Sequence, residues 1–398
     1  MIDSLEKTPK KFLDYLEITI INKILFCIRD AYEIFLRISS KILVILFYLL
    51  IFCSQTYSLA DESFRTRTTE EWELKYKRES LDMRGGMSYL KVGPAKNISK
   101  LAYKSIERNK IIDKFLLNRD IFSLLVYENG KIVYDYKLDF VKSEKAINGE
   151  SRSKSVMGVM AAGLFCAGKL DLGKEHSYYS TEISESFYGG VTLNDSLSMT
   201  AGDRQIDSYN LKKVHNKKID IVKSANLVKN NKNKNKRMFY YSNINSDILT
   251  ITMINALGGV EEFKRAFYNL IVAPAGLKND VVLLQDINGN IISSSSIMMA
   301  REDWLRFSIY VIGLLRDEKS CEGGILRRAF GQSVPTGKTF GPGYAMFFWL
   351  GGYGVKDLVQ MRGWGLKLSL LDWRNGRVIL VNSGAISWKP QELIDLFW

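Results

Sequence analysis

The sequence is poor in the residues that the commonest hydrolytic sites require. Only two histidines occur among its 398 residues, His176 and His215, and no Gly-x-Ser-x-Gly pattern accompanies them. A Ser-His-Asp triad in its usual strand-turn-helix context therefore has no support. Two histidines this far apart also give no ligand spacing for zinc, so we predict no metal and no cofactor. We expect His176 to be an ordinary surface residue.

Cysteine and proline are also scarce. The four cysteines, Cys27, Cys53, Cys166 and Cys321, form no Cys-x-x-Cys pair, which leaves a zinc ribbon or a redox motif without a basis. A Cys166–Cys321 disulfide is one interpretation; we favour a buried Cys166 thiol, because this residue lies in an apolar helical segment. Six prolines argue against long linkers and favour one large domain or two closely packed ones.

Acidic residues are too few to balance the basic ones, and the formal net charge is +13. Much of the excess is local, since residues 210–237 contain ten Lys or Arg and one Asp. This stretch lacks the interleaved aromatic residues that stack on bases. Its composition is typical of a solvated loop, and we expect no nucleic-acid partner.

The first 60 residues have the layout of an export segment. Residues 42–60 carry no charge, an apolar run from Ile42 to Cys53 follows Lys41, and Ser58-Leu-Ala60 supplies the small residues that signal peptidase reads. The uncharged segment is also just long enough to span a bilayer. We therefore predict an exported, periplasmic or cell-envelope protein, in which residues 1–60 are a cleaved signal peptide or a membrane anchor. A purely cytoplasmic core helix is the alternative interpretation.

Two hairpins at opposite ends of the remaining sequence predict a divided sheet. Asn129-Gly130 is a tight-turn signal inside a strand-like segment that begins at Phe122. Near the C-terminus, Asn375-Gly376 separates the strand-like segments 366–373 and 377–382. These two hairpins could pair into one antiparallel sheet, with the middle of the chain inserted between them.

The middle of the chain is predicted to be helical. Residues 156–167 are apolar all round, which indicates a buried central helix that ends near Gly168. Residues 245–257 and 261–270 are further helix candidates, and Pro390 favours a final helix. The fold class is therefore α+β. We divide the chain into an export segment at 1–60, a lead-in at 61–119 and a main domain at 120–398 with a helical insert at about 176–285.

Ser151-Arg-Ser-Lys154 is the strongest candidate for chemistry. The spacing puts a hydroxyl and an amine next to each other on one helical face. The pair begins the apolar helix, where the helix dipole and burial both disfavour a charged ammonium, so Lys154 could accept the serine proton. The spacing alone is weak, because Ser4-Leu-Glu-Lys7 also has it. A helix-start serine followed by a solvated lysine is the alternative interpretation.

Tyr241-Ser-Asn243 precedes the next predicted helix. A tyrosine that faces the Ser-Lys pair can relay a proton to a leaving group, and the Asn243 amide can hydrogen-bond a substrate carbonyl. The alternative is a loop aromatic that packs on the core.

A glycine-bearing segment at the entry to the last hairpin is the third candidate. Glycines there allow the strand backbone to approach a ligand closely, and a backbone N–H from this strand, with that of Ser151, could form an oxyanion hole. The alternative is a glycine bulge at a strand start. The predicted substrate-binding residues are Asn243, Arg362, Gly363, Trp364 and Gly365.

In this order the motifs resemble the penicillin-recognising serine hydrolases, nearest the class C β-lactamase-related branch with its esterases and 6-aminohexanoate-dimer hydrolases. The resemblance covers residues 120–398 and implies a β-lactamase/transpeptidase-like three-layer fold, an antiparallel sheet flanked by helices with a helical insert domain. It also implies an acyl-enzyme on Ser151, activated by Lys154, with Tyr241 as proton partner. The segments that carry it are Ser151–Ser155, Gly168–Leu172, Thr192–Gly202, Tyr241–Leu249, Ala300–Phe307 and Arg362–Gly365.

One departure from that family narrows the implied function. Penicillin-active members carry Lys or His, then Thr or Ser, then Gly on the last strand, whereas Gly363-Trp364-Gly365 has no hydroxyl, although Arg362 and Lys367 are nearby. We therefore predict hydrolysis of a small ester, linear amide or peptide. The alternatives are a β-lactamase or D-alanyl-peptide carboxypeptidase, and a membrane-anchored binding or sensor protein that has lost turnover.

Overall fold

The computed structural model describes most of the chain after its N-terminal part: Glu73 and residues 88–104, 109–203, 220–227, 238–384 and 388–398. These residues belong to one unit, Arg67–Trp398. The export segment predicted at residues 1–60 lies outside the described residues, as do Cys27, Cys53 and most of the basic stretch. Within the described ranges, no helix is long and apolar enough to cross a membrane.

The strands form two sheets. Nine of them make a large sheet in the spatial order β2-β4-β3-β13-β12-β11-β10-β9-β8, and four make a small one in the order β1-β6-β7-β5. Neighbours are antiparallel except β2 and β4, which are parallel. The bounds are β1 Tyr89–Val92, β2 Ala102–Tyr103, β3 Ile121–Glu128, β4 Lys131–Lys137, β5 Ile147–Asn148, β6 Val281–Leu284, β7 Ile297–Met299, β8 Val334–Pro335, β9 Gly343–Ala345, β10 Phe348–Leu350, β11 Leu358–Gly363, β12 Lys367–Asp372 and β13 Arg377–Ser383.

The two predicted hairpins are confirmed, and they meet at the centre of the large sheet. Asn129 and Gly130 both have positive φ (51° and 81°), as a tight turn that matches the twist of β3 and β4 requires. β12 and β13 form the second hairpin, and β13 pairs with β3, for example Leu380 with Leu125. Residues from opposite ends of the sequence therefore share one antiparallel ladder.

The small sheet was not predicted, because its strands have only two to four residues and cannot show a clear alternating pattern. One strand of each sheet, β1 and β2, comes from the predicted lead-in 61–119. The predicted boundaries at residues 60 and 119 stay predictions.

Helices cover both faces of the large sheet, which confirms the three-layer arrangement. α2 and α8 pack on one face in the main apolar core, and α1 and α10 pack on the other face. The helices are α1 Lys110–Leu117, α2 Arg152–Cys166, α3 Leu193–Leu197, α4 Ile221–Asn226, α5 Asn243–Leu257, α6 Val260–Phe267, α7 Ala273–Ala275, α8 Arg301–Arg316, α9 Cys321–Gly331 and α10 Gln391–Phe397. The predicted central helix is α2, of which every residue from Arg152 to Leu164 is buried.

The insert has its own small core, and it corrects two expectations. His176 is fully buried rather than on the surface: its ring nitrogens lie 2.7 Å from Thr252 Oγ1 and 2.8 Å from Ser196 Oγ. Burial lowers the pKa of His176 to about 3, so the ring is neutral at pH 7. The basic stretch is not a loop throughout, because α4 within it buries Ile221 and Ala225 against the insert.

The expectation that Cys166 is a buried thiol is wrong. Cys166 is the last residue of α2, Cys321 is the first residue of α9, and the two form a disulfide with their Cα atoms 6.0 Å apart. The apolar face of α2 ends at Leu164, so the thiol of Cys166 points out of the core and toward α9. The helix that begins at Ser151 is thus covalently fixed at its other end.

Removal of this disulfide should lower stability. Since it closes a loop of 155 residues, Cys166→Ser is expected to reduce the free energy of unfolding by about 2–4 kcal/mol in urea titrations. Cys53→Ser is the control, because Cys53 is not one of the two linked residues. Equal stability of the two variants, or free Cys166 and Cys321 thiols on alkylation, would contradict the linkage.

Candidate active site

Ser151 lies at the N-terminal end of α2, on a turn that its neighbours hold under strain. Ser151 is the residue just before the helix, and Glu150 before it has a positive φ of 50°. A non-glycine residue adopts this conformation at a cost of about 1–2 kcal/mol. Asn148 compensates, since its Oδ1 accepts the Glu150 N–H (3.1 Å) and its Nδ2 donates to the Glu150 carboxylate (2.7 Å).

Arg152 anchors the first turn of α2 to the core. Its side chain is fully buried, it donates from Nη2 to Asn382 Oδ1 (2.8 Å), and its guanidinium lies 4.4 Å from the centre of the Trp304 ring. These contacts join α2 to β13 and α8. The backbone around Ser151 is therefore fixed by the contacts of Asn148 before it and by those of Arg152 after it.

Lys154 connects three separate parts of the chain. Its Nζ lies 3.0 Å from Ser151 Oγ, 2.7 Å from Asn243 Oδ1 and 2.6 Å from the Ser294 carbonyl oxygen. The two carbonyl oxygens are acceptors only. Ser151 Oγ is therefore the one of these three oxygen atoms that carries a proton to give up.

The Tyr241 ring lies against the same amine. Lys154 Nζ is 5.0 Å from the centre of this ring, within the range of a cation–π contact. The ring also stacks on Trp349, with centroids 5.5 Å apart and 23° between the planes, and meets Tyr344 edge-on at 6.0 Å. In the described residues, no hydrogen bond joins the Tyr241 hydroxyl to Ser151 or Lys154, so the contact is with the ring face.

The turn that presents Trp349 is itself strained and is held by α2. Met346 and Phe347, which connect β9 and β10, both have positive φ (50° and 61°). Ser155 of α2 donates to the Phe347 carbonyl (2.7 Å), and the Phe347 N–H donates to the Leu197 carbonyl (3.0 Å). Gly158 permits this approach, because a Cβ there would lie 2.0 Å from the Met346 oxygen.

Four consecutive serines, Ser293–Ser296, are buried between α2 and α5. Ser294 contributes its carbonyl to Lys154, and its N–H donates to Asp247 Oδ1 on α5 (2.7 Å). Asp247 is fully buried. Burial raises the pKa of Asp247 to about 7 from its ordinary 3.8, while the Ser294 N–H and the charge of Lys154 act in the opposite direction.

The β11–β12 turn brings the predicted glycine segment beside the Ser151 loop. A Cβ on Gly363 would lie 2.4 Å from the Gly149 carbonyl oxygen, so only glycine fits this approach. Trp364 follows on the turn and is 54% exposed. Gly365 continues the turn with a φ of 71°.

The two cations of this hairpin make other contacts. Arg362 donates to Tyr353 Oη (2.8 Å) and Gln360 Oε1 (2.9 Å), and its guanidinium lies over the Phe340 ring. Lys367 is buried and donates to the Trp364 carbonyl (3.3 Å). The described hydrogen bonds join neither cation to Ser151 or Lys154.

Many solved structures are similar to this fold. A protein from Bacillus anthracis that is assigned as a 6-aminohexanoate-dimer hydrolase aligns with a TM-score of 0.64 at 14% identity, over 81% of this chain and 91% of its own. A class C β-lactamase in complex with cefoxitin gives 0.53 at 15% identity, over 72% and 95%. A penicillin-binding protein from Bacillus halodurans gives 0.54 at 13%, over 69% and 95%.

The chain has the β-lactamase/transpeptidase-like fold. These identities are low, so the likeness establishes the fold and not the activity. No protein-family model and no curated protein matches the sequence.

Within this β-lactamase-like fold, the structure brings Ser151, Lys154, Tyr241 and Asn243 together. Sequence reasoning missed Ser294, Asp247 and Trp349, which complete their surroundings. A signal existed for two of them: Asp247 stands one helical turn after Asn243, and Ser294 belongs to a serine run between two isoleucines, which is unusual for a buried segment. The contact of Trp349 with Tyr241 has no local signal in the sequence.

The buried carboxyl of Asp247 should make stability depend on pH. Between pH 3.8 and about 7 the unfolded chain has lost this proton and the folded chain keeps it, so the free energy of unfolding falls as pH rises through that range. Asp247→Asn removes this contribution, and its stability relative to the natural chain should rise from pH 4 to pH 8 by an amount on the order of 4 kcal/mol.

Urea unfolding at the two pH values measures this difference. His176→Asn is the control, because a His with a lowered pKa contributes the opposite slope. A stability difference between Asp247→Asn and the natural chain that is the same at both pH values would contradict the assignment.

Proposed function

We propose that the chain is a serine hydrolase that forms an acyl-enzyme on Ser151. The single observation that carries this proposal is the contact of Lys154 Nζ with Ser151 Oγ at 3.0 Å, made while two carbonyl acceptors occupy the other directions of the amine. A nucleophile and a base within hydrogen-bond reach, with the base oriented by further groups, is the arrangement that covalent catalysis requires.

The first half-reaction follows from these contacts. Lys154 takes the hydroxyl proton as Ser151 Oγ attacks the substrate carbonyl, and the C–O bond to Oγ forms while the carbonyl electron pair moves to oxygen. Collapse of this intermediate breaks the bond to the leaving alcohol or amine, which takes up a proton. Water then repeats the sequence on the acyl-enzyme and releases the acid and free Ser151.

The developing oxyanion needs hydrogen-bond donors. The Ser151 N–H donates to no acceptor of the described residues, and Gly363 lies close to Gly149 and Glu150, which precede Ser151. We assign the oxyanion hole to the Ser151 N–H and a backbone N–H of the Gly363–Gly365 segment.

Two side chains have further roles in the proposal. Tyr241 passes a proton to the leaving group, supported by the position of its ring against Lys154. Asn243 donates from Nδ2 to a carbonyl oxygen of the substrate, because its Oδ1 already accepts from Lys154 Nζ.

Small esters or linear amides are the proposed substrates. Gly363-Trp364-Gly365 offers no hydroxyl for a substrate carboxylate. Of the two cations nearby, Arg362 donates to Tyr353 Oη and Lys367 donates to the Trp364 carbonyl. Trp364 follows Gly363, which lies against Gly149 and Glu150, and its exposed ring offers an apolar surface to a substrate. The Bacillus anthracis protein with a similar structure carries the name of a linear-amide hydrolase, which agrees with this class.

Hydrolysis should depend on Ser151. The full chain, assayed on nitrophenyl esters, linear amides and β-lactams, is expected to cleave esters or amides with multiple turnovers, and Ser151→Ala should lower kcat at least about a thousandfold. Ser4→Ala is the matched control, since Ser4 also stands three residues before a lysine.

Other outcomes would identify the alternatives. Full activity of Ser151→Ala would contradict the proposal. Preferential β-lactam cleavage would favour the β-lactamase or carboxypeptidase alternative, and ligand-induced thermal stabilisation without any product would favour a binding protein.

We also propose that the protein is exported. The Cys166–Cys321 disulfide supports this, because such bonds persist in oxidising compartments, and the uncharged segment 42–60 supplies a route. In a Gram-negative host, the full chain is expected in the envelope fraction. Leu46→Arg, inside the apolar run, should retain it in the cytoplasm, and Thr8→Arg should not. Recovery of the natural chain from the cytoplasm with free thiols would contradict export.

A further inference from the structure

We propose that Asp247 is a positioning residue for the Ser151–Lys154 pair, which it serves by holding the backbone N–H of Ser294, the residue whose carbonyl contacts Lys154. This inference rests on the proposed function, because it concerns how Ser151 is activated. Asp247 does not touch the nucleophile itself.

The connection runs through a single residue. Asp247 Oδ1 accepts the Ser294 N–H at 2.7 Å, and the carbonyl oxygen of the same Ser294 accepts from Lys154 Nζ at 2.6 Å. Asp247 follows Asn243 by one helical turn, so both side chains lie on the same face of α5. One face of one helix therefore controls both carbonyl acceptors of Lys154, directly through Asn243 and indirectly through Asp247.

Neighbouring contacts hold the serine run but do not replace this one. Ser293 Oγ bonds with Ser246 and Thr250 on α5, at 2.8 Å and 2.7 Å, and fixes the preceding residue. For the Ser294 N–H, Asp247 is the acceptor. The N–H and the carbonyl of Ser294 belong to adjacent peptide units that meet at its Cα, so a fixed N–H restricts where the carbonyl can point. A turn of this backbone would take the carbonyl away from Lys154, and the amine would lose one of the contacts that orient it toward Ser151.

The burial of the Asp247 carboxyl is energetically unfavourable. The side chain is fully buried, and its Oδ2 has no hydrogen-bond partner among the described residues. Such an oxygen lowers stability, so packing alone would favour an apolar residue. The positioning role requires only an acceptor at Oδ1, which both the acid and its anion provide. Asparagine should therefore perform it, and alanine should not.

Labelling of Ser151 by a fluorescent alkyl fluorophosphonate measures the activation step directly. In this reaction Oγ forms a bond to phosphorus, fluoride leaves, and the hydroxyl proton passes to Lys154. The limiting rate at saturating probe and the half-saturating concentration are measured for the natural full chain and for Asp247→Asn, Asp247→Ala and Thr252→Val. Thr252→Val is the matched control, because it removes a buried hydroxyl of α5 that bonds His176 and not the serine run.

The expected pattern separates positioning from general damage. Asp247→Ala should lose about tenfold or more in limiting rate with little change in half-saturation. Asp247→Asn should stay within about threefold of the natural chain, and Thr252→Val should resemble the natural chain. If Asp247→Ala does not fold, Asp247→Leu takes its place, since leucine has nearly the same volume and accepts no hydrogen bond.

Three results would overturn the inference. They are an unchanged limiting rate in the alanine or leucine variant, an equal loss in Asp247→Asn, and an equal loss in Thr252→Val. Failure of the natural chain to be labelled at Ser151 would instead contradict the proposed function, and this inference with it.

Discussion

The Lys154 amine is held inside the protein by oxygen atoms from three places that are far apart in the sequence: Ser151 on its own helix, Asn243 at the start of α5, and Ser294 before β7. An amine has few donors, and each of these acceptors fixes one direction. Two of the three oxygen atoms belong to carbonyl groups, so only the serine hydroxyl has a proton to give. The rest of the site depends on this arrangement.

The apolar core is what makes the arrangement rigid. α2 is buried on all sides, so it cannot rotate to move Lys154 without disturbing the main core. Its first turn is tied to β13 and α8 through Arg152, its middle holds the strained Met346-Phe347 turn, and its last residue is joined to α9 by the disulfide. That turn in turn supports Trp349, against which Tyr241 stacks. The positions of the base and of the tyrosine are thus set by one helix.

The features that the sequence predicts well are those with a local pattern. Each of the two Asn-Gly turns, the apolar helix α2 and the Ser-x-x-Lys spacing is defined by residues that are close to one another in sequence. Each was found in its predicted place. The features that sequence reasoning missed arise from distant pairs. Ser294 is 140 residues from Lys154, and Cys321 is 155 residues from Cys166. His176 was misjudged for the same reason, because its partners Thr252 and Ser196 are distant in sequence and give no signal beside it.

The central claim is that Lys154 activates Ser151 and no other serine. The most direct measurement is mass-spectrometric peptide mapping of the full chain after reaction with a fluorophosphonate, for the natural protein and for Lys154→Met. The account predicts one adduct, on the tryptic peptide 146–152, in which Ser151 is the only serine, and a loss of at least about a hundredfold in its rate of formation in Lys154→Met. An adduct on another serine, or equal labelling of Ser151 in both proteins, would contradict it.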